Sequence, residues 1–371
     1  MITIDILFNI YTFSTVAYIL AYKLLCRKSF ILNKEIYRLS QNQQKIFAFV
    51  LIFGFVLCLR DLSVGTDTRH YAGIFKAIAN ANRVSEYVQF SKMPAYVYLA
   101  RILSFITQDP RIMIIVSGLT TLICTGLFIY YDSPNILFSV ILYLFLDLYM
   151  PAFNIARQAL AMSIIFISYL CLERKKYSLS IVYFVIAVMF HRTAIVAFIM
   201  FVFHFLHYTK KKLLLIQFLI IAAEFALIRL IPLFLRWFPI YSNFENAGFS
   251  ITGSDSGGNR IYTALVIIVI EILGYNNIHK IEIEKFDRFC KLLCISNVGV
   301  FSMIIYRHFY LFARIEKYYY QFLIILIPMC IDSIKTKKYR TIVLVGTIGI
   351  LFIPYILKIN DYLPYMFMWS N

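Results

Sequence analysis

The apolar residues of this chain fall into a succession of runs, several of them near the ~20 residues that an α-helix needs to cross a hydrocarbon core. Short polar or charged loops separate them. Inside a bilayer the backbone must satisfy its own hydrogen bonds, so a chain patterned this way is restricted to a bundle of spanning helices. A soluble domain would keep about a quarter of its residues charged. Here 15% of 371 residues are charged and 61% are hydrophobic. The expected fold is therefore all-α: a polytopic transmembrane helix bundle forming one integral membrane domain over residues 1–371, with about 12 spans plus a re-entrant or interfacial helix.

The runs predict spans near 4–25, 46–59, 111–130, 135–150, 158–172, 178–190, 193–208, 212–231, 261–276, 289–306, 315–332 and 341–357. The first reads as a retained span, because no basic residue precedes it and no small-residue cleavage site follows it. The stretch 93–108 is short, opens with Pro94 and carries Arg101. Counted as a span, it would put the basic loops Lys23–Lys45 and Glu173–Lys176 on opposite sides, against the positive-inside rule. It is assigned instead as the re-entrant or interfacial helix of an outer segment, 60–110. Both termini then lie outside, and a polar loop over 232–260 is a second outer element. The seven cysteines sit in or beside apolar runs, and no disulfide is expected.

Basic residues differ in kind between the two faces. Loops assigned inside carry mostly Lys, as in Lys210–Lys212, whereas those assigned outside carry Arg60, Arg111, Arg157, Arg192, Arg260 and Arg314, with few Lys. Insertion needs only positive charge. A guanidinium also offers a planar fork of donors that matches phosphate or carboxylate. An outward-facing anion site accounts for the asymmetry; snorkelling to lipid headgroups accounts for any single Arg.

Five segments carry the candidate chemistry. Arg60-Asp61-Leu62-Ser63-Val64-Gly65-Thr66-Asp67-Thr68-Arg69-His70-Tyr71 follows the second span; Gly65 permits a tight turn, and Asp67 or Thr68 can cap a helix running through Tyr71. Phe153-Asn154-Ile155-Ala156-Arg157-Gln158 opens an otherwise apolar span with an Arg that wants an acceptor. Phe190-His191-Arg192-Thr193-Ala194 is a tight reversal between spans. Arg314 and Tyr318 share a helical face, and a Tyr ring can stack on a sugar or anchor a span at headgroup level. Arg260 ends the Gly/Ser-rich stretch of the 232–260 loop, which suits a mobile lid. Cys290 and Cys294 stand one helical turn apart, which is half a metal site at most, and packing is the simpler reading.

The order and spacing of Arg60 through Tyr71, Asn154-x-x-Arg157-Gln158-x-x-Ala161 and Phe190-His191-Arg192-x-Ala194 resemble the EpsG family, over about residues 45–210. The resemblance implies a role like that of the Wzy O-antigen and capsule polymerases in exopolysaccharide synthesis. Such an enzyme transfers a growing glycan from undecaprenyl diphosphate to a lipid-linked repeat unit, at the outer face of a bacterial cytoplasmic (inner) membrane. By matching position it implies site roles for Arg60, Asp67, Tyr71, Arg157, Gln158 and His191. The implied partners are the undecaprenyl-diphosphate-linked oligosaccharide and membrane lipid, with a chain-length regulator and a flippase as candidates.

Breaking a sugar–diphosphate bond builds negative charge on the leaving group. No Asp-x-Asp pair occurs in an outer loop, so the expectation is a metal-independent glycosyltransferase without a cofactor, in which Arg157, Arg192, Arg260 and Arg314 offset that charge. Asp67 is the first candidate base and His191 the second. Three alternatives remain: a glycan ligase using the same donor, a non-enzymatic transporter or flippase, and an acyltransferase. A flippase calls for mid-span charges, of which Glu224 and Glu271 are candidates. The net charge of +17 is divided between two membrane faces and never forms one basic surface, which removes the nucleic-acid reading.

Overall fold

The computed structural model describes residues 9–27, 40–91, 93–237, 256–278, 283–305, 314–359 and 364–369, and among them every regular element is a helix. Two compact units are present: Met1–Ile195 with Tyr355–Asn371, and Val196–Pro354. Among the described residues, six helices are long and apolar enough to cross a membrane, and five shorter apolar helices accompany them. The multi-pass helical architecture is as expected; the count of about 12 spans is not confirmed.

In the first unit α1 spans Ile10–Arg27, α2 Gln41–Cys58, α3 Thr68–Ala79, α4 Val84–Ser91, α5 Pro94–Ser104, α6 Arg111–Asp132, α7 Ile136–Phe145, α8 Pro151–Asn154, α9 Ala156–Glu173 and α10 Tyr177–Phe190. Helix α2 begins in a capping box, with the Gln43 amide N–H donating to Ser40 Oγ at 3.3 Å and the Ser40 N–H donating back to Gln43 Oε1 at 2.7 Å. Helix α9 is the central element. It packs against α6 and α10, and 72% of its apolar window is buried, which a peripheral span would not allow. Ser168 and Ser180 each donate to the other's backbone carbonyl, at 2.7 and 2.8 Å, and so bring α9 and α10 into close approach.

Several expected spans are interrupted, each for a local reason. The run 135–150 gives only the ten-residue α7, because Asp147 adopts a left-handed conformation (φ 55°) and turns the chain toward α8. Beyond α10, the expected continuous span 193–208 is a 3₁₀ helix, Arg192–Phe198, followed by the six-residue α11, Ile199–His204. The β-branched Thr193, Ile195 and Val196 disfavour regular α-helix there, and Thr193 Oγ1 bonds His191 Nδ1 at 2.9 Å at its start. The stretch 93–108 supplies the 11-residue α5, about 16 Å long and well short of a crossing. Helices α3, α4 and α5 pack around Phe75, Ile78, Tyr96, Val97 and Ala100. Arg101 caps the C-terminus of α3, donating to the carbonyls of Ile78 and Ala79.

The second unit contains α11, α12 (Lys210–Trp237), α13 (Ser256–Ile278), α14 (Ile283–Ile305), α15 (Lys317–Tyr320) and α16 (Leu323–Asp332), and α17 (Lys337–Ile359) continues from it into the first. Helix α14 is its hub, packing against α11, α12, α13, α15 and α16. At Gly274 the backbone of α13 approaches α16 so closely that a β-carbon would collide with Cys330. The expected polar loop 232–260 is helical at both ends; residues 238–255 lie outside the described residues. Along α17 the apolar side chains of Ile342, Val345, Ile350 and Ile353 are exposed, as lipid contact requires.

Candidate functional site

The segment after α2 is docked on the segment before α9. Arg60 is 2% exposed; its guanidinium donates to the carbonyls of Leu57 (2.8 Å), Ala152 (3.3 Å) and Phe153 (3.4 Å) and lies over the Phe153 ring. Gly65 has φ 94°, and a β-carbon there would collide with the Phe153 carbonyl oxygen. The Thr66 N–H donates to Asn154 Oδ1 at 2.9 Å, and Thr68 Oγ1 donates to the carbonyls of Val64 (2.8 Å) and Phe153 (3.1 Å). Two motifs some ninety residues apart thus share one set of hydrogen bonds.

That docking sets the neighbours of Arg157. Its guanidinium carbon lies 5.0 Å from the centre of the Tyr71 ring and 5.3 Å from that of Tyr96, and the two rings are 6.1 Å apart. The Arg157 side chain is half-buried, its Nε is shielded from solvent, and among the described residues it has no hydrogen-bond acceptor and no ion-pair partner. A guanidinium between aromatic faces is held in place electrostatically while its in-plane donors stay open. Phe190, at the end of α10, packs against the same aromatic cluster, so the His191 motif belongs to this body too.

Asp67 takes the N-cap position of α3 but forms no capping bond; its carboxylate accepts only from Thr66 Oγ1 at 3.4 Å among the described residues. The expected cap through Asp67 or Thr68 is thus not made. Thr68 is turned back onto carbonyls, and Asp67 keeps open acceptor positions. Asp61 is committed elsewhere: the Ser63 backbone N–H, donating at 2.8 Å, and the Ser63 hydroxyl hold its carboxyl below the usual carboxylate range. Gln158 is fully buried, its amide nitrogen 3.9 Å from the Met162 sulfur, which makes it a packing residue of α9 rather than a wall of an open site. Arg60 likewise directs its donors at backbone. Burial leaves neither side chain an open face. Arg192 is exposed beside the half-buried His191.

Arg260, Arg314 and Tyr318 belong to the second unit. Arg260 is ion-paired with the buried Glu316, and Tyr318 is fully buried, so a sugar has no ring face to stack on there. Arg314 is half-buried, and Lys317 donates to the Tyr320 hydroxyl at 3.0 Å. Among the described residues, no group of three or more His, Cys, Asp and Glu side chains is arranged to hold a metal ion, and the six described cysteines are free thiols.

Sequence reasoning missed Tyr96 and the C-terminal segment. Residues 364–369 run antiparallel to 59–61: the Asp61 N–H donates to the Met366 carbonyl and the Met368 N–H to that of Leu59, both at 2.9 Å. The Tyr365 hydroxyl donates to the Val56 carbonyl at 2.6 Å. The alternation of aromatics at 365, 367 and 369 is an extended-strand signal that was there to be read.

No curated protein and no solved structure matches the chain. The family model described as the EpsG family matches residues 45–369, well beyond the 45–210 over which the motifs carry the resemblance and as far as the tail that pairs with Leu59 and Asp61. On that match, which covers most of its length, the chain belongs to the EpsG family.

Proposed function

We propose that this protein is a membrane glycosyltransferase that polymerises lipid-linked oligosaccharide repeat units, working at the outer face of a bacterial cytoplasmic membrane. Membership in a family of membrane polysaccharide polymerase-like proteins supports the class of reaction. The observation that carries the reading is the Arg157 guanidinium, half-buried between Tyr71 and Tyr96 with its donors uncommitted among the described residues. A half-buried cation without a counter-ion favours a ligand that completes it, and a diphosphate is the complementary group.

In the proposed reaction, a hydroxyl oxygen of the acceptor repeat unit attacks the anomeric carbon of the donor glycan. The bond from that carbon to the diphosphate oxygen breaks, and undecaprenyl diphosphate leaves with the electron pair. Arg157 offsets the charge that develops on the leaving oxygen, an interaction stronger in the transition state than in the ground state. Asp67 takes the proton of the attacking hydroxyl, with His191 as the second candidate. Arg60, Gly65, Thr68 and Asn154 keep the loop bearing Asp67 fixed against the start of α9. Arg192 is a candidate further contact to the diphosphate. No metal enters this scheme.

The test is Arg157→Ala and Arg157→Lys in a strain lacking the native gene. Both should abolish long polymer and leave single-repeat product on the carrier at the outer face, because a Lys ammonium cannot supply two parallel donors. Polymer of normal length and amount from Arg157→Ala would refute the role. Repeats stranded on the cytoplasmic side would indicate a transporter instead, and loss of a capped acceptor without loss of chain length would indicate a ligase.

A further inference from the structure

The second unit contains a polar chain that the proposed reaction does not use. Glu271 is 5% exposed and lies within the apolar window Arg260–Ile278 of α13. Among the described residues it has no ion-pair partner. The titratable groups that approach it are thiols: Cys294 from α14 and Cys330 from α16. Its hydrogen-bonding neighbour is Asn297 of α14. One terminal atom of the Asn297 amide lies 2.9 and 3.1 Å from the two Glu271 oxygens and the other lies 2.7 Å from Gln217 Oε1; with its nitrogen toward Glu271, Asn297 donates to the carboxylate. Gln217 Nε2 in turn lies 3.4 Å from Cys294 Sγ.

The amide fits either charge state of Glu271: its nitrogen donates to an ionised carboxylate, and its oxygen, turned the same way, accepts from the O–H of a protonated one. From there the chain runs one way: the Asn297 N–H donates to Gln217 Oε1, and the Gln217 N–H donates to the Cys294 sulfur. If Glu271 loses its proton, the polarity must reverse. Asn297 turns its nitrogen to the carboxylate, Gln217 turns its nitrogen to Asn297, and the Cys294 S–H donates to the Gln217 oxygen. Each link of the chain has a donor and an acceptor in either direction, and the two directions differ by one proton and two amide rotations. An ionisable group within a spanning helix and without a cation is held more readily in its neutral form.

We infer that Glu271 is an intramembrane proton-binding site whose occupancy sets the direction of the Glu271–Asn297–Gln217–Cys294 chain. The site lies wholly in the second unit and stands whether or not the polymerase reading does. It is a protonic switch in the helix hub: the proton enters as Glu271 O–H, and its departure reorients two side-chain amides on α14 and α12.

Infrared spectroscopy of the full-length protein in lipid bilayers tests this. At neutral pH the wild-type minus Glu271→Gln difference spectrum should contain a protonated-carboxyl C=O stretch, which converts to a carboxylate band only under alkaline conditions. A carboxylate band at neutral pH would overturn the proposal. So would conversion of the acid band by sodium at fixed pH, which would make the ligand a metal cation. Asn297→Leu gives a second reading that does not depend on Glu271→Gln folding: removing the acceptor should move the acid stretch to higher frequency. An unmoved stretch would refute the relay.

Discussion

Replacing Gly65 with alanine tests how the candidate site is held together. Gly65 has φ 94°, where an L side chain costs about 1–2 kcal/mol from backbone sterics alone. The new β-carbon would also collide with the Phe153 carbonyl oxygen, which accepts from Thr68 Oγ1 at 3.1 Å and from Arg60 at 3.4 Å. Losing a neutral bond costs about 1 kcal/mol, and a bond to a charged group about 1.5–3 kcal/mol. The loop should therefore lose roughly 3.5–6 kcal/mol of local stability, with each 1.4 kcal/mol worth a factor of ten. Hydrogen exchange by mass spectrometry on the full-length protein should report exchange at the Thr66 and Thr68 amides at least about a hundredfold faster. Polymer synthesis should fall with it, because Asp67 is no longer fixed. Gly73→Ala is the internal control. A β-carbon there meets nothing within 4 Å, and an exposed mid-helix Gly→Ala change is neutral or stabilising by about 0.5–1 kcal/mol. If Gly65→Ala exchanges and polymerises like wild type and like Gly73→Ala, the docking of the 60–68 loop on residues 152–154 is not what fixes the site.

Two further outcomes follow from local geometry. Tyr71→Leu keeps bulk but removes the ring face under Arg157. It should reduce the initial polymerisation rate at limiting lipid-linked substrate by about two- to fivefold, equivalent to ~0.5–1 kcal/mol, while Tyr71→Phe leaves it unchanged; equal rates for Leu and Phe would count against the stack. Lys175 holds a left-handed conformation (φ 58°) after α9, where the Lys176 N–H donates to the Cys171 carbonyl and the Lys175 N–H to that of Leu172. Lys175→Gly should raise thermal stability in detergent by about 1 kcal/mol, and a lowered melting midpoint would contradict the strain.

The sequence by itself determined the class of molecule. Runs of apolar residues leave a chain no soluble alternative, since neither the exposed side chains of α17 nor those of α10 could face water, and backbone self-satisfaction then dictates helices. It also singled out the Arg60, Arg157 and His191 motifs, because charged and small residues stand out against an apolar background. It could not give the lengths of the helices. Asp147 adopts a left-handed turn without a glycine, and residues 193–198 tighten into 3₁₀ geometry; both are set by local torsions that hydropathy does not encode. Nor could it separate the roles of its arginines. Arg60, Arg157 and Arg260 look alike as isolated cations at span ends. Packing against residues 152–153 gives the first a set of carbonyls, Glu316 gives the third a counter-ion, and Arg157 is left with two aromatic faces and open donors. Whether a guanidinium is structural or available depends on what the chain brings to it from far away in sequence, and only the tertiary structure decides that.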